Sequence, residues 1–66
     1  MKICDFTQSQ LDYLEIMCNF TPEEKKLFDL RAKDTSLEDC AEIMNASTAK
    51  ISRIHKRVID KIEREA

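Results

Sequence analysis

Glycine is absent from this 66-residue chain, and that absence removes several function classes at once. Without glycine there is no phosphate-cradling loop and no dinucleotide-binding fingerprint, because both need backbone that a Cβ would block. Histidine is nearly absent too. His55 is the only one, and no strand–turn–helix pattern presents a nucleophile, so the chain reads as a non-enzyme with no cofactor. The three cysteines, Cys4, Cys18 and Cys40, lack the paired spacing of a zinc site, so no metal is expected. They read as buried thiols, with a Cys4–Cys18 disulfide as the less favoured alternative. No apolar stretch approaches a membrane span, and the N-terminus "MKICDFTQ" lacks the apolar region of a signal peptide. A cytoplasmic location and no membrane partner are the expectations that follow.

What is present is a small helical unit. The apolar fraction is 42% and the charged fraction 36%, values of a folded domain, not a disordered chain. With glycine missing, helices must end on the next residues that tolerate a left-handed backbone, asparagine and aspartate. Asn19, Asp34 and Asn45 divide the chain into four such segments. Start signals agree. Thr21-Pro22-Glu23-Glu24 joins an N-cap, a proline at the first helical position and a capping-box glutamate. Ser36-Leu37-Glu38-Asp39 gives a cap followed by acids. Ser47 or Ala46-Ser47 opens the last segment, and Thr7 or Ser9 the first.

Helical spacing then assigns the buried faces. Leu11, Leu14, Met17 and Cys18 serve the first helix. Leu27, Phe28, Leu30 and Ala32 serve the second, and Leu37, Cys40, Ala41, Ile43 and Met44 the third. Ile51, Ile54, Val58 and Ile62 serve the fourth. Phe6, Tyr13 and Phe20 are read as packing the first helix onto the rest; left exposed, they would make it a partner-binding or dimerising surface. His55 is read as a packing residue. The expectation is a single all-α domain over 1–66: an N-terminal helix at about 8–19, then a three-helix unit at about 21–62. Frayed ends are expected at Met1–Asp5 and Glu63–Ala66.

The segment Leu37–Lys56 meets the steric demands of a DNA-binding helix-turn-helix in order. These are a small residue where two helices cross, a turn residue tolerant of positive φ, and apolar anchors on the inner face of the second helix. Ala41, Asn45, and Ile51 with Ile54 occupy those places, and Ser47 caps the second helix.

From Thr21 to Ile62, "TPEEKKLFDLRAKDTSLEDCAEIMNASTAKISRIHKRVIDKI" resembles, without a gap, the sigma-70 region 4 and LuxR/GerE-type helix-turn-helix superfamily. The Thr-Pro-x-Glu start falls at Thr21–Glu24 and the Leu-Arg-Ala helix end at Leu30–Ala32. The Ser-Leu-Glu-Asp start falls at Ser36–Asp39, with the crossing alanine at Ala41. The turn serine falls at Ser47 and the terminal basic-apolar stretch at Lys56–Ile59. Leu30-Arg31 leans towards the sigma branch. The chain departs from the pattern at Cys40 (usually Ile), Asn45 (usually Gly) and Lys50 (usually Thr).

The resemblance implies sequence-specific binding of double-stranded DNA in transcription regulation or promoter recognition, in a bacterium or phage. A recognition helix at about 47–64 would enter the major groove. By position it makes Thr48, Ala49, Ser52 and Arg53 base-facing. Lys50, Lys56 and Arg57 are then suited to phosphates, and Lys33 and Ser36 are further phosphate contacts at the preceding helix start. It also implies RNA polymerase as a partner, and a homodimer through the N-terminal helix is open. The alternative is a protein-interaction module of the same fold that regulates a sigma factor or polymerase without touching DNA.

The net charge of −2 does not oppose DNA binding, because the charge is segregated. Residues 1–30 hold Lys2, Lys25 and Lys26 against six acids, giving −3. Residues 46–61 hold Lys50, Arg53, Lys56, Arg57 and Lys61 against Asp60, giving +4. Phosphates respond to the local patch.

Overall fold

Four hydroxyl residues start four helices in the computed structural model, which describes residues 2–65. The helices are α1 (Gln8–Cys18), α2 (Pro22–Ala32), α3 (Leu37–Ile43) and α4 (Thr48–Glu65), preceded by one 3₁₀ turn at Ile3–Asp5. The side-chain oxygens of Thr7, Thr21, Ser36 and Ser47 accept hydrogen bonds from the backbone N–H groups of Gln10, Glu24, Asp39 and Lys50, at 3.1–3.3 Å. Each satisfies one of the donors that a helix start leaves unpaired. At Thr7 and Thr21 the capping box is complete, with the Gln10 and Glu24 side chains returning to the cap N–H.

Asn19, Asp34 and Asn45 are the three described residues with positive φ, at 51°, 63° and 53°. Asp34 and Asn45 each sit in a full helix-ending motif. Asp34 N–H donates to Arg31 O at 3.0 Å and Thr35 N–H to Leu30 O at 3.1 Å. Asn45 N–H donates to Glu42 O at 3.2 Å and Ala46 N–H to Ala41 O at 2.9 Å. These paired bonds satisfy the last helix carbonyls, which is what glycine usually permits. The left-handed residue gives a direct test. Asn45→Val is expected to lose about 1 kcal/mol or more, because a β-branched residue resists positive φ. Asn45→Gly should stay within about 0.5 kcal/mol of the parent. Urea unfolding of the two variants checks this, and equal stabilities would refute the assigned turn.

Helix α4 is the hub. It packs against α1, α2 and α3, burying Ile51, Ile54, Val58 and Ile62 on one face. Those four meet Leu11, Leu14, Cys18, Leu27, Phe28, Cys40 and Ala41 in one continuous core. Phe20 and Phe28 stack at 4.9 Å between ring centroids. No strand occurs among the described residues, and no helix among them is long and apolar enough to cross a membrane.

Several expectations need correction. Met17 and Ile43, assigned to buried faces, are 45% and 53% exposed, and Tyr13, read as a packing residue, is 54% exposed. Met17 and Ile43 lie at the edges of their apolar stripes, where spacing alone does not settle burial, and Tyr13 lies on the side of α1 away from Leu11, Leu14 and Cys18. The N-terminal residues do not simply fray: Ile3 is buried against the core, and the 3₁₀ turn packs on α2. At the other end α4 continues to Glu65. Met1 and Ala66 lie outside the described residues. All three thiols are free, so no Cys4–Cys18 disulfide forms. Cys18 and Cys40 are buried as expected, but Cys4 is only half-buried, with its thiol donating to Asp34 Oδ1 at 3.6 Å.

Candidate nucleic-acid interface

The face of α4 opposite its buried stripe is built by the same spacing that buries Ile51, Ile54, Val58 and Ile62. At about 100° per residue, Ala49, Arg53, Lys56 and Asp60 fall on the outward pole. Lys50 and Arg57 fall along one edge, Thr48 and Ser52 along the other. Thr48, Ala49, Lys50, Ser52, Arg53, Lys56 and Arg57 are all exposed. One helix therefore carries every α4 residue singled out from the sequence, but not as one row. Arg53 and Ala49 project furthest, while Thr48 and Ser52 flank them. Ser47 fixes where this face begins, through its bond to Lys50 N–H.

The net positive charge of α4 is concentrated in its first three turns, where the helix carries Lys50, Arg53, Lys56 and Arg57 and no acid. Lys50 Nζ lies 3.8 Å from Glu23 Oε2 at the start of α2, with both side chains more than half exposed. A pair so exposed contributes little and is readily exchanged for another anion. Arg57 borders a shallow cleft with Thr21, Pro22 and Glu23, so Lys50 and Arg57 share the α2 side. Beyond Arg57 the exposed positions are mixed, with Asp60, Glu63 and Glu65 outnumbering Arg64. His55 adds no charge at neutral pH. Burial, and then the nearby Arg31 guanidinium, hold its imidazole below the usual histidine range, which keeps the ring neutral.

Lys33 and Ser36 lie on the connection between α2 and α3, not on α4. Lys33 borders a cleft between α1 and α2, beside Gln8 and Leu11. The Ser36 hydroxyl is occupied by Asp39 N–H, and the first turn of α3 carries Glu38 and Asp39, both exposed. Those carboxylates already complement the helix dipole there and oppose a phosphate.

Two side chains that brace the helices were not linked to their partners by sequence reasoning. Glu24 is only 4% exposed and accepts hydrogen bonds from Thr21 N–H at 3.0 Å and from Lys61 Nζ. Burial pushes its carboxyl up, but the Lys61 ammonium and the Thr21 donors outweigh that and leave it below the usual range. Lys61 also lies 5.9 Å from the centre of the Phe20 ring. The capping-box pattern marked Glu24; nothing in spacing linked it to a lysine 37 positions away. The second group is Arg31, whose Nη1 donates to Thr35 O at 2.5 Å while its buried Nε has no partner among the described residues.

No group of three or more His, Cys, Asp or Glu side chains among the described residues is placed to hold a metal ion. Comparison with known proteins finds no matching family model, no similar curated protein and no similar solved structure.

Proposed function

We propose that this chain is a double-stranded-DNA-binding regulator of transcription or promoter-recognition module, in which α3 and α4 act as a helix-turn-helix. The observation that carries the reading is the two-faced α4. One side is locked to all three other helices, and the other offers Arg53 with Lys50 and Arg57 on one flank and Lys56 on the pole beside it. The N-terminal half of α4 enters the major groove. There Arg53 pairs with guanine O6 and N7, and Ala49 and Thr48 supply methyl contact to thymine. Lys50 and Arg57 grip phosphates along the α2 flank, and Lys56 does so from beside Arg53. Lys33 and Ser36 drop out of the contact set, for the reasons of position and local charge given above.

A second reading rests on the acidity of α3. Its exposed residues Glu38, Asp39 and Glu42 surround the exposed Ile43, a surface suited to a protein and not to a phosphate backbone. Under it the chain is an interaction module for a sigma factor or RNA polymerase, with no DNA contact of its own.

A random-oligonucleotide selection with purified protein, run with and without RNA polymerase, separates the two. Under the first reading a sequence preference emerges from the protein alone. Arg53→Ala then relaxes it by roughly 1–3 kcal/mol at one position, whereas Lys56→Ala weakens all sequences alike and reduces the salt slope by about one. Absence of DNA binding at low salt would overturn the first reading; enrichment only with polymerase present would favour the second.

A further inference from the structure

Three of the four large hydrophobic side chains exposed among the described residues lie on one helix, α1: Tyr13 at 54%, Ile16 at 78% and Met17 at 45%. Tyr13 also forms one wall of an open groove of about 340 Å³ between α1 and the C-terminal end of α4, with Phe6, Leu14 and Ile62 as its other apolar walls. The one charged residue lining this groove is Glu65. A contiguous apolar patch beside an apolar groove on so small a domain marks a binding surface.

Charge identifies the occupant. Helix α1 contains Asp12 and Glu15 and no basic residue. Glu15 is held by Lys25 at 2.9 Å, while Asp12 is exposed and bonded only to the neutral Gln8. The chain totals −2 and residues 46–61 supply +4, so everything outside that segment carries −6. A second copy is a poor match. Set face to face it brings acidic surroundings against acidic surroundings. Its one strongly basic surface, on α4, has no large exposed hydrophobic to fill the groove.

We infer that the α1 face and its groove form a docking site for a basic amphipathic helix of a partner protein. That helix lies along α1, inserts an apolar side chain between Tyr13, Leu14 and Ile62, and pairs a lysine or arginine with Glu65. The mode is helix-in-groove recognition, with apolar anchors at helical spacing and charged flanks setting orientation. The site lies at the opposite end of α4 from the basic face, so the inference does not depend on DNA binding.

The test uses two synthetic 18-residue amphipathic peptides, one of leucine and lysine and one of leucine and glutamate, titrated into the full chain and followed by backbone amide NMR. The leucine–lysine peptide is expected to shift amides of residues 6–17 and 62–65, and the leucine–glutamate peptide to shift none. Tyr13→Asp and Glu65→Lys should each weaken binding by tenfold or more. Both positions are exposed, so the melting temperature should hold, and DNA binding, where present, should be unaffected. Equal binding of the two peptides, or shifts confined to Glu38–Glu42 of α3, would overturn the proposal. So would a dimer in sedimentation that Ile16→Asp dissolves, which would assign the face to a second copy.

Discussion

Ile51→Ala is expected to lower the unfolding free energy by about 3–4 kcal/mol, the usual range for a fully buried isoleucine cut back to a methyl group. Ile51 has no solvent exposure and stands one turn into α4, so the cavity opens under the N-terminal half of that helix. A domain of this length has a total stability of about 3–10 kcal/mol, so the variant gives up about a third or more of it and its melting temperature should fall by more than about 10 °C. Thermal denaturation followed by circular dichroism checks this; a loss below about 1 kcal/mol would mean that the site is not close-packed. The consequence for function is practical. Loss of DNA binding in Ile51→Ala would say nothing about contacts, whereas Arg53, two positions on and exposed, separates reading from folding.

Removing Lys61 is the second large effect. Lys61→Met leaves Glu24 buried beside an apolar side chain, and the loss is expected to be about 2–3 kcal/mol. That is somewhat under the full penalty for breaking a buried pair, because the Lys61 side chain is 26% exposed. The double variant Glu24→Leu/Lys61→Met should recover most of the loss, since an apolar pair of similar size replaces two charges that need each other. Acidification reads out the same pair. The Glu24 carboxyl titrates below its ordinary value of 4.5 in the folded chain, so the folded state binds that proton less readily than the unfolded state does. Its contribution is therefore complete above about pH 4.5 and is lost as pH falls through the folded value. In Lys61→Met burial acts unopposed by the ammonium, and the stability-against-pH curve between pH 4 and 6 should change shape. A curve identical to the parent's would sink the assigned pairing.

Much of the fold was legible in the sequence because local rules governed it. With no glycine to end a helix, Asn19, Asp34 and Asn45 had to take the left-handed positions, and they do. The Ser and Thr caps fell within a residue of their expected places. The stripe on α4 was legible because an apolar residue every three or four positions admits one buried face. Legibility failed where burial is decided by neighbours distant in sequence. Met17 looks like a core residue on a helical wheel and Tyr13 was read as packing for its aromatic ring, yet α1 meets the core through Leu11, Leu14 and Cys18 and leaves the side of Met17 and Tyr13 open. Ile3, near the N-terminus, is buried because α2 happens to offer it a surface. The exposed basic residues of α4 were found, but the placement of Lys33 beside α1 required the end of α2 to be seen in three dimensions.

The packing of α4 against every other helix has a thermodynamic consequence. Helices α1, α2 and α3 all rest on α4, so the domain should unfold as one cooperative unit. Any ligand that favours the seated helix then stabilises the whole chain, by about 2.7 kcal/mol at a concentration one hundred times its dissociation constant. The melting curve of this small domain is thus a detector for whatever it binds, with no need to know beforehand which face is engaged.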